Sequence, residues 1–168
     1  GSVNAGKTIM AQAAETLTPV SLELGGNDAM LVLDDADLER ATNGAAWAGY
    51  QNAGQSCGGV ERIYVHEKVY QPFIAALTRK TKALRHGVPT DEHNVDIGSL
   101  TTEGQLRTVQ QHVEDAVSKG ATIAGQSRPV GDLEQGFFHP ATLLVDVTDD
   151  MLTMCDETFG PVIAVGKV

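Results

Sequence analysis

The sequence is short of several things, and each shortage removes a class of function. No stretch approaches the roughly 20 consecutive apolar residues that a membrane-spanning helix needs, so no membrane span is expected. No signal peptide is visible at the first residues either. Only two cysteines occur, Cys57 and Cys155, far apart and without metal-type spacing. That argues against a disulfide framework and for a reducing, cytoplasmic setting. The five histidines, His66, His86, His93, His112 and His139, share neither an element nor a ligand spacing, and no metal is assigned. Basic residues are scarce as well. Twelve Lys and Arg against 22 Asp and Glu leave a net charge of −10. Such a surface repels phosphate backbones, and no basic cluster with interleaved aromatics offsets it, so no nucleic-acid partner is expected.

What is present is an ordinary globular composition, 42% hydrophobic and 20% charged, in a 168-residue chain long enough for one core of normal size. Residues 8–17 read as a helix ended by Thr18-Pro19. Residues 20–24 alternate and read as a strand handing over to Gly25-Gly26. The apolar run 29–33 is too short for a buried helix and reads as a strand, with Asp35 or Asp37 capping a helix through Leu38, Ala41, Ala45 and Ala48. Residues 60–66 form a further strand. Residues 68–84 carry Val69, Phe73, Leu77, Lys80 and Leu84 on one stripe of an amphipathic helix. Residues 85–97 read as a surface loop. A helix is expected over 101–119, a short strand over 121–124, a polar turn region over 125–136, an extended segment over 137–147, a short helix over 149–154 and a last strand over 162–168. Strands alternating with helices at this rhythm predict an α/β domain with a mainly parallel sheet flanked by helices. The last strand reaches the chain end without a turn, so the domain is expected to be truncated.

Two motifs bracket the stretch that names a chemistry: Leu22-Glu23-Leu24-Gly25-Gly26 and Gly54-Gln55-Ser56-Cys57. Cys57 is expected on a loop just past a helix, between small residues, which is unlike the apolar setting of a core cysteine. A populated thiolate attacks carbonyl carbon readily.

A rival pattern stands at the start. Gly1-Ser2-Val3-Asn4-Ala5-Gly6-Lys7-Thr8 satisfies the phosphate-loop rule, and the strand ending in Asp34 could supply a magnesium ligand. A P-loop NTPase is therefore a second reading, although a phosphate loop should follow a strand. A third reading is a non-catalytic interaction module, for which a buried, unreactive Cys57 would be the sign.

The chain resembles the aldehyde dehydrogenase superfamily, whose signatures are a Leu-Glu-Leu-Gly-Gly box and a Gly-Gln-x-Cys box. Cys57 lies 34 positions after Glu23 (57 minus 23), the family's usual spacing. Two more matches follow the family's order, Gly1-Ser2-x-x-x-Gly6 and Glu157-Thr158-Phe159-Gly160-Pro161. The resemblance implies NAD(P)-dependent oxidation of an aldehyde, with Cys57 as nucleophile and Glu23 as base. It further implies NAD or NADP contacts at Gly1, Ser2, Gly6, Leu24, Gly25, Glu157 and Phe159, with Glu157 and Phe159 on the nicotinamide side. Residues 1–24 would be the end of a cofactor-binding domain and 25–168 an incomplete catalytic domain of a homo-oligomer. Asn27 stands where many family members carry Lys. The Tyr50-Gln51-Asn52 approach resembles semialdehyde-oxidising members.

Overall fold

The computed structural model describes residues 1–90 and 94–168. The expected loop position Asp91 and His93 lie outside the described residues. The first element is helix α1, Val3–Ala14, earlier than the expected 8–17. Ser2 explains the shift: its Oγ accepts from the Ala5 N–H at 3.2 Å, so a capping side chain starts the helix before the Gly-Lys pair. Residues 20–24 form no strand, contrary to the alternation. Alternation describes a strand only where a neighbour supplies the ladder, and the segment runs beside α1, with the Gly1 amino group donating to the Glu23 carbonyl at 3.1 Å.

Strand β1 is Asp28–Val32, and Asp37 caps α2, Leu38–Tyr50, by accepting from the Arg40 N–H at 3.1 Å. A tight turn, Gln51–Gly54, then leads through Cys57 to β2, Val60–Val65, and α3, Glu67–Ala83. The expected 85–97 loop instead begins with strand β3, Arg85–Gly87. Next come α4, Glu103–Ser118, and β4, Thr122–Gln126. The expected 125–136 turn region contains β5, Arg128–Val130, which pairs with β3. Three-residue strands are too short to show a period of two, which is why both escaped the pattern. The chain finishes with β6, Thr142–Val145, α5, Leu152–Cys155, and β7, Val162–Lys167.

The main sheet runs β1-β2-β7-β6-β4, parallel except for β4, which lies antiparallel to β6 at one edge. Burial explains the composition of its centre. Leu143, Leu144, Ile163, Ala164 and Val165 are fully buried, the near-continuous apolar run of strands covered on both faces. Helix α2 presses on one face so closely that a Cβ on Gly49 would fall 2.5 Å from Ile163 Cδ1. Arg62 points to the other face, where its Nη1 donates to the Met154 carbonyl of α5 at 3.2 Å. Tyr50 and Thr81 join α2 to α3 through a buried hydroxyl pair at 3.1 Å.

This topology positions the motifs. Gly25-Gly26 immediately precedes β1, Cys57 precedes β2, and Glu157–Phe159 precedes β7. Because β1, β2 and β7 are parallel neighbours, their entry ends lie side by side. Motifs more than a hundred residues apart in sequence therefore meet at one end of the sheet.

Candidate active site

A cavity of about 570 Å³ opens at that end, lined by Gly1, Ser2, Leu24, Gly25, Gln55, Ser56, Cys57, Gln105, Thr108, Glu157 and Phe159. Six of the seven expected cofactor-contact residues thus line one cavity with Cys57. The seventh, Gly6, is buried beneath Leu24 and packs instead of lining. Glu23 is exposed and does not line the cavity, although Leu24 and Gly25 beside it do.

Cys57 sits on an exposed turn, which removes the sign attached to an interaction module. The backbone ahead of it is wound left-handed, with φ of 51° at Asn52, 56° at Ala53 and 71° at Gly54. Two non-glycine residues in that region store strain of order 1–3 kcal/mol each, which must be held by surrounding contacts. Gln55 holds the turn. Its Oε1 accepts from the Thr101 N–H and hydroxyl at 2.9 and 2.8 Å, and its Nε2 donates to the Asn52 carbonyl at 3.0 Å. Gly54 fits against the opposite wall so closely that a Cβ there would fall 2.0 Å from the Gly160 carbonyl oxygen.

Glu157 crosses from the end of α5 to the Gly-Gly pair, where its Oε1 accepts from the Gly26 N–H at 3.1 Å. A Cβ on Gly25 would fall 1.9 Å from Glu157 Oε2, so the glycine is what lets the carboxylate approach. Asn27 continues the seam, donating to the Asp156 carbonyl at 2.9 Å while its own carbonyl accepts from Arg62 Nε at 3.0 Å.

Behind Phe159 stands a residue that the motifs did not mark. Glu61 is only 5% exposed, and its carboxylate accepts from the Thr158 N–H at 2.7 Å and the Phe159 N–H at 2.8 Å. Burial pushes its pKa up to about 7. The two N–H bonds pull it down, and the charges of Glu157 and Asp28 add to the rise. His112, on α4, meets the Thr158 hydroxyl at 3.1 Å, and burial lowers its pKa against the opposing pull of Asp156 and Asp115. Glu61 had left a trace in the sequence: it is in phase with the buried Ile63 and Val65 of the same strand. Gln105 and Thr108, on α4, left none, since a polar residue on an amphipathic helix reads as solvated face.

The phosphate-loop reading is not supported. Gly6 and Lys7 lie inside α1, so no loop is free to wrap a phosphate chain, and Asp34 is paired with Lys68 Nζ at 2.8 Å. Cys155, which lies outside every motif, is exposed, with its thiol donating to the Met151 carbonyl at 3.1 Å. Among the described residues no group of three or more His, Cys, Asp or Glu is arranged to hold a metal ion.

One cavity thus brings together Cys57, the N-terminus of α1 and the Glu157–Phe159 entry to β7, and comparison with known proteins gives the chain a family. The Aldehyde dehydrogenase family model matches residues 1–168, and the chain belongs to that family. It is 41% identical over 165 residues to lactaldehyde dehydrogenase of Escherichia coli, covering 98% of this chain and 34% of that protein. The crystal structure of the E. coli lactaldehyde dehydrogenase superposes with a TM-score of 0.92 at 40% identity, over 100% of this chain and 35% of that one. Succinate-semialdehyde dehydrogenase [NADP(+)] 2 of Schizosaccharomyces pombe is 39% identical, covering 99% of this chain and 34% of that protein. The NAD+ complex of an aldehyde dehydrogenase from Bacillus cereus superposes with a TM-score of 0.91 at 38% identity, over 100% of this chain and 34% of that one. The chain spans about a third of the length of the curated relatives it matches.

Proposed function

We propose that the protein to which this chain belongs oxidises an aldehyde to a carboxylic acid with NAD or NADP, and that Cys57 is its nucleophile and Glu23 its base. The observation that carries this reading is the shared cavity, in which exposed Cys57 faces the same space as the N-terminus of α1 and the pair Glu157 and Phe159.

The residues present fit a dinucleotide. Gly1 and Gly25 offer backbone without side chains, and the start of α1 offers unpaired N–H groups to a phosphate. Leu24, backed by Gly6, forms an apolar surface, and Phe159 offers an aromatic one. Glu157 Oε2 carries no bond from Gly26 and can accept from a ribose hydroxyl. When bound, the dinucleotide supplies a hydride acceptor. Names among the relatives include both an NADP(+) enzyme and an NAD+ complex, so either cofactor is in scope.

Cys57 Sγ would attack the carbonyl carbon to give a tetrahedral thiohemiacetal, and loss of hydride from that carbon leaves an acyl thioester on Cys57. Glu23 would then take a proton from a water molecule that attacks the thioester carbonyl; the C–S bond breaks, releasing the acid and the thiolate. Solvent exposure of Glu23 suits a base that must recruit water. Residues 1–24 are assigned to the edge of a cofactor-binding domain and 25–168 to the catalytic domain. The 168-residue chain alone is proposed to be poorly active, since it spans about a third of the length of its curated relatives. The residues Tyr50-Gln51-Asn52 and the semialdehyde dehydrogenase relative favour a semialdehyde as substrate. Exposed Leu31 and Leu33 at the open sheet edge favour a subunit contact in a cytoplasmic homo-oligomer.

The test is Glu23→Gln in the full-length protein, mixed with propanal and NAD+. Mass spectrometry should find an acyl adduct on Cys57 after a stoichiometric burst of reduced cofactor. Steady turnover at the unmutated rate with no adduct would refute the role of Glu23, and turnover by Cys57→Ala would refute that of Cys57.

A further inference from the structure

Thr158 and the cavity-lining Phe159 are held from both sides. Their two N–H groups donate to the two oxygens of Glu61, at 2.7 and 2.8 Å. Their two carbonyls accept from a single nitrogen, Gln105 Nε2, at 2.8 and 3.1 Å. Two side chains therefore satisfy all four main-chain polar groups. The dipeptide needs this, because Phe159 adopts φ +47°, a left-handed conformation that a bulky side chain rarely takes. Gly160 leaves no slack beyond it, since a Cβ there would fall 2.2 Å from Val109 Cγ2.

Gln105 lines the cavity, and Glu61 does not. Glu61 lies four residues after Cys57, on the strand that the nucleophile's turn enters. Its neighbour Arg62 is turned to the opposite face, bonded to the Asn27 and Met154 carbonyls, and among the described residues no ion pair reaches Glu61. A buried carboxylate with no cation, accepting two charge-assisted N–H bonds, fixes the geometry of the backbone that donates them.

We propose that Glu61 is a positioning residue, a strut that ties the Cys57 strand to the Phe159 wall and holds that wall in its dinucleotide-binding conformation. The inference rests on the dehydrogenase reading and deepens it. Only the ionised carboxylate accepts from both N–H groups. A protonated one carries an O–H that faces an N–H, and the amide of Gln has the same fault. Burial places the change near pH 7, with Glu157 and Asp28 adding to the rise and His112 reaching the same dipeptide through the Thr158 hydroxyl. The strut thus engages as pH rises through neutrality.

The experiment is dinucleotide affinity of the full-length protein without aldehyde, from pH 5.5 to 8.5, for the unmutated protein, Glu61→Gln and Glu61→Asp. The unmutated protein should bind more tightly as pH rises through about 7. Glu61→Gln should bind about tenfold more weakly at pH 8, as loss of a hydrogen bond to a charged group predicts, with the pH dependence through neutrality flattened. Glu61→Asp should weaken binding yet keep that dependence. Equal affinity and an unchanged profile in Glu61→Gln would overturn the strut while leaving the dehydrogenase reading intact. If Glu61→Gln does not fold, a flat profile in the unmutated protein overturns it. Absence of any dinucleotide binding by the unmutated protein would overturn both.

Discussion

The Thr158–Phe159 wall and the Gly1–Asn27 wall enclose the same cavity and are held by different means. The first is fastened by Glu61, Gln105 and His112, which approach from β2 and α4 through bonds that are buried or part-buried. The second rests on α1, whose only buried residue is Gly6 and whose Val3, Ile9 and Met10 are about half exposed. Its links to the rest include the Gly26 bond to Glu157, the Asn27 bond to Asp156 and the bond from Arg62 to the Asn27 carbonyl. A buried charge-assisted bond is strong and intolerant of misplacement, whereas an exposed helix with one packed glycine yields at small energies. In this 168-residue chain the cavity therefore pairs a firmly bonded wall beside Cys57 with a lightly packed wall at the helix end, and substitutions should separate the two.

The largest effect is expected where the walls converge. Cys57→Ser in the full-length protein should lower kcat for aldehyde oxidation by about 10³-fold or more, because a serine alkoxide is hardly populated at neutral pH, and steady-state kinetics will measure it. Where the Cys57 turn abuts the firmly bonded wall, Gly54→Ala adds a Cβ 2.0 Å from the Gly160 carbonyl oxygen at a residue with φ +71°. It should destabilise by about 2–4 kcal/mol in urea unfolding, the combined scale of overpacking and left-handed strain.

The pH dependence of stability sharpens the comparison. Glu61's pKa is raised from 4.5 to about 7 in the folded protein, so the folded state holds a proton that the unfolded state has released across that interval. Its contribution is fully present below pH 4.5 and is lost as pH rises through about 7. The stability of Glu61→Gln relative to the unmutated protein should therefore increase by about 1–3 kcal/mol between pH 5 and pH 8, whatever its absolute value. A difference that does not change with pH would contradict the buried, proton-binding Glu61. His112 works in the opposite sense, because burial lowers its pKa and its contribution is lost on acidification.

The smallest effect belongs to the lightly packed wall. In Gly6→Ala the new Cβ would meet Leu24 Cδ1 at 2.9 Å, the movable tip of a half-buried side chain, while alanine favours the helix. The net change should stay within about 1 kcal/mol by thermal or urea unfolding. A loss as large as that of Gly54→Ala would show that both walls are firmly held.

How far this was legible from the residues varies with the kind of signal. Strand β2 and helices α2, α3 and α4 were legible because an amphipathic or apolar period needs only local burial to produce it. The 20–24 segment misled because alternation is not a strand until a neighbour accepts its hydrogen bonds. Strands β3 and β5 stayed hidden because three residues carry no period. In the site, Cys57, Leu24, Gly25, Glu157 and Phe159 were marked by motifs, whereas Gln105 and Thr108 looked like any solvated helix face. Glu61 stood between, a charge in phase with buried Ile63 and Val65.

The sequence by itself determined the α/β class, the family's motifs and the candidate nucleophile, since each rests on residue type and short-range spacing. Only the tertiary structure decided that the motifs meet. That depends on β1, β2 and β7 lying parallel and adjacent, so that their entry ends coincide, and hydrogen-bond partners across strands are chosen by sheet topology. The same packing placed the oxygens of Glu61 against the N–H groups of residues 97 and 98 positions away, a distance over which no local pattern carries information.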